Sequence, residues 1–173
     1  MGFNGARLHQ KVFEQRFLYH CDRLGYIVWG EYPSWGLNHA KPESIYSILP
    51  EWLEVVNRDY NHPSIVTWCP FNEAWTPFNE YCSHDGNLLF KDLVKMVYLA
   101  TTSADSTRPC IDTSGGFHIL TDVYDLHDYE QNPEMLKAHY EEMSNTHDCG
   151  DFYSAFKDKQ RYDGKMPFCV SEY

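Results

Sequence analysis

Glu73 and Glu172 each stand just past an apolar run, Ser64-Ile65-Val66-Thr67-Trp68-Cys69 for the first and Phe168-Cys169-Val170 for the second. Aromatic residues sit beside both: Phe71 and Trp75, Phe168 and Tyr173. An apolar wall raises a carboxyl pKa and keeps that group protonated as a general acid, while an arginine or hydrogen-bond donors keep a second one ionised as a nucleophile. That division of labour is what cleavage of a glycosidic bond requires. Polar residues also follow the other short apolar runs: Arg7 and His9, Glu31, Asn72 beside Glu73, Asp112, then His127, Asp128 and Tyr129. One strand-end acid is more often a helix cap or a surface group, but six strand ends carrying polar groups together point to a shared site.

The elements that must position these residues alternate between short β-branched or aromatic runs and longer amphipathic ones, the pattern of βα units and a parallel sheet. Gly5 to His9 reads as a strand end. Val12, Phe13, Phe17, Cys21 and Leu24 then fall at helical spacing, and Gly25 supplies the stop. Tyr26–Trp29 reads as a buried strand. Pro42 opens a helix with the stripe Ile45, Ile48, Leu49, Trp52, Leu53 and Val56, and Ser64–Cys69 is the clearest strand. A helix over Leu88–Thr102, with Leu89, Leu93, Met96, Val97 and Ala100 inward, leads to a short strand Cys110–Asp112. Val123–Leu126 is a further strand, Asn132-Pro133 starts a helix to about Met143, 148–164 is ambiguous, and Phe168–Val170 is the last strand. Six strands and about five helices result, in a single domain over residues 1–173, because no linker or low-complexity segment divides the 173 residues.

Composition narrows the partners. With 14 Lys and Arg against 25 Asp and Glu, the formal net charge is −11, and the basic residues are scattered singly, so neither nucleic acid nor an anionic membrane surface is an expected partner. No apolar stretch approaches the roughly 18 to 20 residues of a membrane span, and the first residues lack the basic and apolar regions of a signal peptide. The six cysteines are spread singly and read as free thiols, from which a cytoplasmic location is expected. Aromatic residues make up 16%, enough to line a sugar site as well as a core.

The segments Gly2-Phe3-Asn4-Gly5-Ala6-Arg7-Leu8-His9, Gly25-Tyr26-Ile27-Val28-Trp29-Gly30-Glu31, Arg58-Asp59-Tyr60-Asn61-His62-Pro63-Ser64-Ile65-Val66-Thr67-Trp68, Phe71-Asn72-Glu73-Ala74-Trp75, Ser106-Thr107-Arg108-Pro109 and Pro167-Phe168-Cys169-Val170-Ser171-Glu172-Tyr173 occur in this order. They resemble the catalytic barrel of glycoside hydrolase family 2, the β-galactosidases, β-glucuronidases and β-mannosidases. The resemblance implies a TIM (β/α)8-type barrel and a retaining β-glycosidase with Glu73 as acid/base and Glu172 as nucleophile, acting on a carbohydrate substrate without a cofactor or metal. It also implies that Asn72 meets the sugar 2-hydroxyl, that Arg7 holds the nucleophile ionised with Tyr129 beside it, and that His9, Glu31, Trp75 and His127 contact sugar. On this reading the carboxyls stand about 5 to 5.5 Å apart.

Set against the family, the six strands correspond to its second through seventh, so the barrel is expected to be an incomplete piece of a larger enzyme. Open edges expose backbone and apolar surface and invite self-association. The competing reading is a catalytically silent fragment that binds carbohydrate or associates through those edges. A metal-dependent barrel hydrolase is disfavoured, since Arg7-Leu8-His9 lacks the second histidine of an H-x-H pair and no H-E-x-x-H occurs. Arg7 pairing with Glu31 alone, Asp112 orienting a neighbour, Arg108 anchoring a strand, His62 serving a turn and Trp29, Trp35, Trp52 and Trp68 packing are the structural alternatives, Trp35 also being placed to reach a pocket rim.

Overall fold

A computed structural model describes residues 2–39, 41–74, 84–146 and 162–173, with the backbone alone for 84–90 and 142–146. The strands are β1 (Gly5–Arg7), β2 (Ile27–Glu31), β3 (Ile65–Cys69), β4 (Phe71–Asn72), β5 (Thr113–Ser114), β6 (Tyr124–His127) and β7 (Phe168–Glu172). Among the described residues four α-helices alternate with them: α1 (Gln15–Leu24), α2 (Ile45–Asp59, entered through a 3-10 turn at Pro42–Ser44), α3 (His84–Ala104) and α4 (Pro133–Thr146). All pairings are parallel: β1 with β2, β2 with β3, β4 with β5, and β6 with β7. Pro70, which has no N–H to offer a ladder, separates β3 from β4. A parallel bridge between Trp68 and Cys110 links the two sheets on either side of it, and the Ser114 hydroxyl donates to Asp125 of β6 at 2.6 Å. The array therefore runs β1, β2, β3–β4, Cys110–β5, β6, β7, which are the six positions expected. Among the described residues β1 and β7 each pair on one side only, so the barrel is unclosed.

The main core lies between this array and the helices α2 and α3. Ile48, Trp52 and Val56 of α2 and Leu93, Val94 and Val97 of α3 are buried against Val28, Ile65, Trp68 and Phe71. Trp52 and Trp68 meet edge to face at 5.8 Å, a preferred aromatic geometry. Each indole N–H has a buried acceptor, Thr101 Oγ1 at 2.7 Å and Asp105 Oδ2 at 2.8 Å, so neither ring buries an unpaired donor. A second cluster packs Tyr124 and Leu126 of β6 against Tyr140, Tyr162, Met166, Phe168 and Val170. Among the described residues no helix is long and apolar enough to cross a membrane, and Cys21, Cys69, Cys110 and Cys169 are free.

Several expectations need correction. The strand expected over Cys110–Asp112 reduces to one bridge at Cys110, and the ladder re-forms at Thr113–Ser114. Asp112 is occupied otherwise: its carboxylate accepts the N–H groups of Thr113, Ile119 and Leu120 and pairs with His118, orienting a loop as its structural reading held. Leu24 is 80% exposed because the helix ends there at Gly25, whose φ of 67° is the left-handed stop, and Leu18 takes the buried place beside Cys21. In α3 Met96 is 48% exposed and Val94 is buried in its stead, because Leu93, Val94 and Val97 centre the inward face. Leu89 falls where only backbone is described, and most of the ambiguous stretch 148–164 lies outside the described residues.

Candidate active site

The C-terminal ends of the strands converge on one guanidinium. Arg7, at the end of β1, donates from Nε and Nη2 to the two oxygens of Glu31 at the end of β2, at 2.6 and 2.9 Å. Its Nη2 also donates to Asn72 Oδ1 of β4 at 2.5 Å, and Nη1 to Glu172 Oε1 of β7 at 2.5 Å. Arg7 thus does both things its sequence left open, pairing with Glu31 and holding Glu172. Burial by itself would lower the Arg7 pKa, but the hydrogen bonds and charge of Glu31, joined by Glu172, raise it, so the guanidinium stays a cation. Glu31 is buried with no charge left bare, and also accepts the backbone N–H of Gln10 at 3.0 Å. Asn72 is fixed from behind by Ser34 Oγ, which accepts its N–H at 3.1 Å.

Glu172 is partly exposed and held ionised. Burial pushes its carboxyl up, but the Tyr129 hydroxyl donating to Oε2 at 2.5 Å, the neighbouring His127 and the charge and hydrogen bond of Arg7 outweigh that and bring it below the ordinary range. The same contact works in reverse on Tyr129, where burial and the neighbouring carboxylate push the phenol up. His9, half exposed, brings Nδ1 to 3.2 Å of Glu172 Oε1.

Glu73 differs in backbone and in surroundings. It has φ 43°, a left-handed conformation uncommon for a residue with a Cβ, and its N–H donates to the carbonyl of Ser114 at 2.8 Å. Such outliers cost on the order of 1–3 kcal/mol and cluster where a side chain must be aimed. Its Oε1 lies 2.9 Å from His127 Nδ1. The described polar neighbour of this carboxyl is an imidazole; of the aromatic residues expected beside it, Phe71 is fully buried and Trp75 lies outside the described residues. Gly115 makes room for the imidazole, since a Cβ there, at φ 60°, would stand 2.3 Å from His127 Nδ1.

Glu73, His127 and Glu172 offer ligating atoms within 4.8 Å of one another. A cation among them would face the Arg7 guanidinium, so the set suits proton transfer and not a metal. A carboxylate pair this close, one member held as an anion, can supply a nucleophile and a proton donor to the same substrate atom pair. Of the residues singled out, Arg7, His9, Glu31, Asn72, Glu73, His127, Tyr129 and Glu172 come together. Trp52 and Trp68 are core, and Trp35 is 67% exposed. Arg108 donates to the carbonyls of Ile65, Tyr60 and His62 and to Asp105, the anchor it was read as. His62 contacts Asp22 at 2.6 Å beside its turn. Sequence reasoning missed Ser114 and Asp125, which lie behind His127; the signal was the strand period, which puts Asp125 on the same face as His127 two residues on.

A parallel, barrel-type α/β array carrying a carboxylate pair at its strand ends defines the class: a TIM-barrel site of the glycoside hydrolase kind. The model of glycosyl hydrolases family 2, TIM barrel domain, matches residues 1–173, and the chain belongs to that family. The β-glucuronidase of Homo sapiens is 32% identical over 114 residues, which are 63% of this chain and 16% of that protein. The β-galactosidase of Thermoanaerobacterium thermosulfurigenes is 30% identical over 124 residues, 66% of this chain and 14% of that protein. A solved family 2 β-galacturonidase of Eisenbergiella tayi bound to galacturonate shares the fold, with TM-score 0.66 at 22% identity over 96% of this chain and 28% of its own. The chain thus corresponds to a small part of the length of these proteins.

Proposed function

We propose that this chain is the catalytic part of a retaining β-glycosidase. Glu172 attacks the anomeric carbon, Glu73 protonates the departing oxygen, and Glu73, then ionised, takes a proton from the water that releases the sugar. The observation that carries this reading is the asymmetric carboxylate pair: oxygens within 4.8 Å, Glu172 clamped by Arg7 and Tyr129, Glu73 facing His127. With one oxygen of each carboxyl inside that distance, the pair supports direct attack by Glu172 over an arrangement that holds a water between carboxyls about 6.5–9.5 Å apart. Asn72, held by Arg7, is assigned to the sugar 2-hydroxyl, and His9, at the exposed mouth, to the sugar. The relatives named for glucuronides and galactosides support a β-glycoside substrate.

A second reading has its own observation. The edges of β1 and β7 flank a cleft of about 410 Å³ lined by Gly5, Arg7, Trp29, Val170 and Tyr173 among others, which suits a chain that binds sugar or associates without turning substrate over. Hydrolysis of a panel of aryl β-glycosides by the chain and by Glu172→Gln separates the two. Turnover that Glu172→Gln abolishes is the expected result. Sugar binding that is equal in both proteins, with turnover in neither, overturns the catalytic reading for this chain and leaves the second.

A further inference from the structure

Behind the reacting carboxyls lies a polar chain that the two-carboxylate chemistry does not use. Asp125 of β6, 1% exposed, receives three donors on one oxygen, Oδ2: the hydroxyls of Ser114 at 2.6 Å and Ser171 at 2.9 Å and the N–H of Gly115 at 3.0 Å. Ser114 Oγ lies 3.0 Å from His127 Nε2, and His127 Nδ1 lies 2.9 Å from Glu73 Oε1. Ser114 of β5 and His127 of β6 therefore join the buried carboxyl of Asp125 to Glu73, the residue just past β4 assigned as acid/base. We propose that Asp125, through Ser114, is a positioning residue that selects which nitrogen of His127 carries hydrogen and so shares one proton with Glu73. The inference rests on the assignment of Glu73 above for its catalytic meaning, but not for its structural content.

Two arrangements satisfy every contact along the chain. In the first, Glu73 holds a proton on Oε1 and donates it to Nδ1, Nε2–H donates to Ser114 Oγ, and the Ser114 hydroxyl donates to ionised Asp125. In the second, each of the three protons has moved one place: onto Nδ1, onto Ser114 Oγ and onto Asp125 Oδ2. The number of protons is unchanged, no electrons are gained or lost, and the negative charge passes from Asp125 to Glu73. When a substrate removes one proton, Nε2 is left bare, and Arg7 Nη1 at 3.1 Å is placed to donate to it. The charged and titratable groups around Asp125 support a carboxyl that can take a proton. Burial pushes it up; Ser114, Ser171, His127 and His118 act against that, yet the balance stays above the ordinary carboxylate. Cys69 and Cys169 face it from β3 and β7, and Asp112 stands behind His118. Around the other end of the chain are Arg7, Tyr129 and Glu172.

The test reads the His127 nitrogens directly. The chain labelled with 15N-histidine, with His127 assigned by its substitution, is compared with Asp125→Asn, Ser114→Ala and Ser171→Ala, folding being checked on backbone amide spectra. The Asp125→Asn change keeps the shape of the side chain and, with three donors converging, puts an amide carbonyl oxygen where Oδ2 was. That oxygen cannot take a proton, so the Ser114 hydroxyl is committed to it and the hydrogen moves to Nε2. Ser114→Ala keeps the charge of Asp125 but leaves Nε2 with the Arg7 donor at 3.1 Å as its nearest partner, Glu172 Oε1 lying farther off at 3.5 Å, so the hydrogen moves to Nδ1. Ser171→Ala, which touches Asp125 and the Ser114 hydroxyl, at 3.1 Å, but not His127, has a smaller effect than either. Opposite movements from an intermediate wild type are expected. Movement of Asp125→Asn and Ser114→Ala in one direction, no movement in either, or an equal effect of Ser171→Ala would overturn the relay. Aryl glycoside hydrolysis, measured alongside, separates the two ideas: its absence with the opposite movements intact removes the glycosidase and keeps the relay.

Discussion

Arg7 is asked to satisfy more partners than any other described side chain of the site: both oxygens of Glu31, the Asn72 carbonyl and Glu172. A planar fork of five donors can do this and a lysine ammonium cannot. Arg7→Met should therefore raise the Glu172 carboxyl, because the burial that pushes it up remains while the opposing charge and hydrogen bond are gone. Tyr129→Phe should move it in the same direction through loss of one donor. The sign follows from the depressed state of this carboxyl: with fewer donors, ionisation waits for higher pH. A 13C-carboxyl NMR titration of glutamate-labelled protein, with Glu172 assigned through Glu172→Gln, reads both, and a Glu172 curve that stays in place in Arg7→Met would sink the account. In hydrolysis, losing one hydrogen bond to a charged group, ~1.5–3 kcal/mol, corresponds to roughly 10- to 100-fold in rate for Tyr129→Phe if the bond is made in the transition state.

At the scale of elements, the turn between α3 and the Cys110 bridge is tied by Asp105. Its carboxylate accepts the Trp68 indole N–H, the Thr107 hydroxyl and N–H, and Arg108. Burial pushes this carboxyl up, yet these donors together hold it at about 2 against 3.8 for the free group. A depressed folded-state value stabilises the fold above the unfolded value, and that contribution is lost as pH falls from about 4 through 2. Asp105→Asn should accordingly cost ~2 kcal/mol in urea unfolding at pH 7, the gap to wild type narrowing toward pH 2; a gap that is constant with pH would show that charge is not its cause. Much at this scale was legible, because β-branched runs and helical stripes report a local period: β3, α2 and the Gly25 stop fall where the pattern put them. The slip of the fifth strand from Cys110–Asp112 to Thr113–Ser114 was not, since it depends on Asp112 spending its carboxylate on Ile119 and Leu120, a choice made by the loop after it. The front of the site was legible for the same reason that strands were, every strand end carrying a polar group. Its rear was not, because Ser114 sits in a Thr-Ser-Gly-Gly stretch that reads as a turn, and only folding brings Ser171 to Asp125.

At the scale of the whole molecule, the unclosed array leaves β1 and β7 with one unsatisfied flank each among the described residues, on either side of the 410 Å³ cleft. Paired strands elsewhere suppress such edges, and bare ones template association with another copy. Opposing this is a formal net charge of −11, which keeps copies apart until salt screens it, over a Debye length of about 10 Å at 0.1 M. The two effects predict a weak self-association that strengthens with ionic strength, the reverse of what complementary charges would give. Ala6, exposed on β1 and lining the cleft, is the position to test, because it bears none of the contacts that assemble Arg7. A lysine there places a solvated charge on the edge without altering the register of β1 on β2, which runs through backbone pairs. Sedimentation velocity over a concentration series at low and high salt should show wild type shifting to larger species in salt and Ala6→Lys remaining smaller at every concentration. Equal behaviour of the two proteins would mean that the edges are not the contact, and association that weakens with salt would mean that charge, rather than open backbone, draws the copies together.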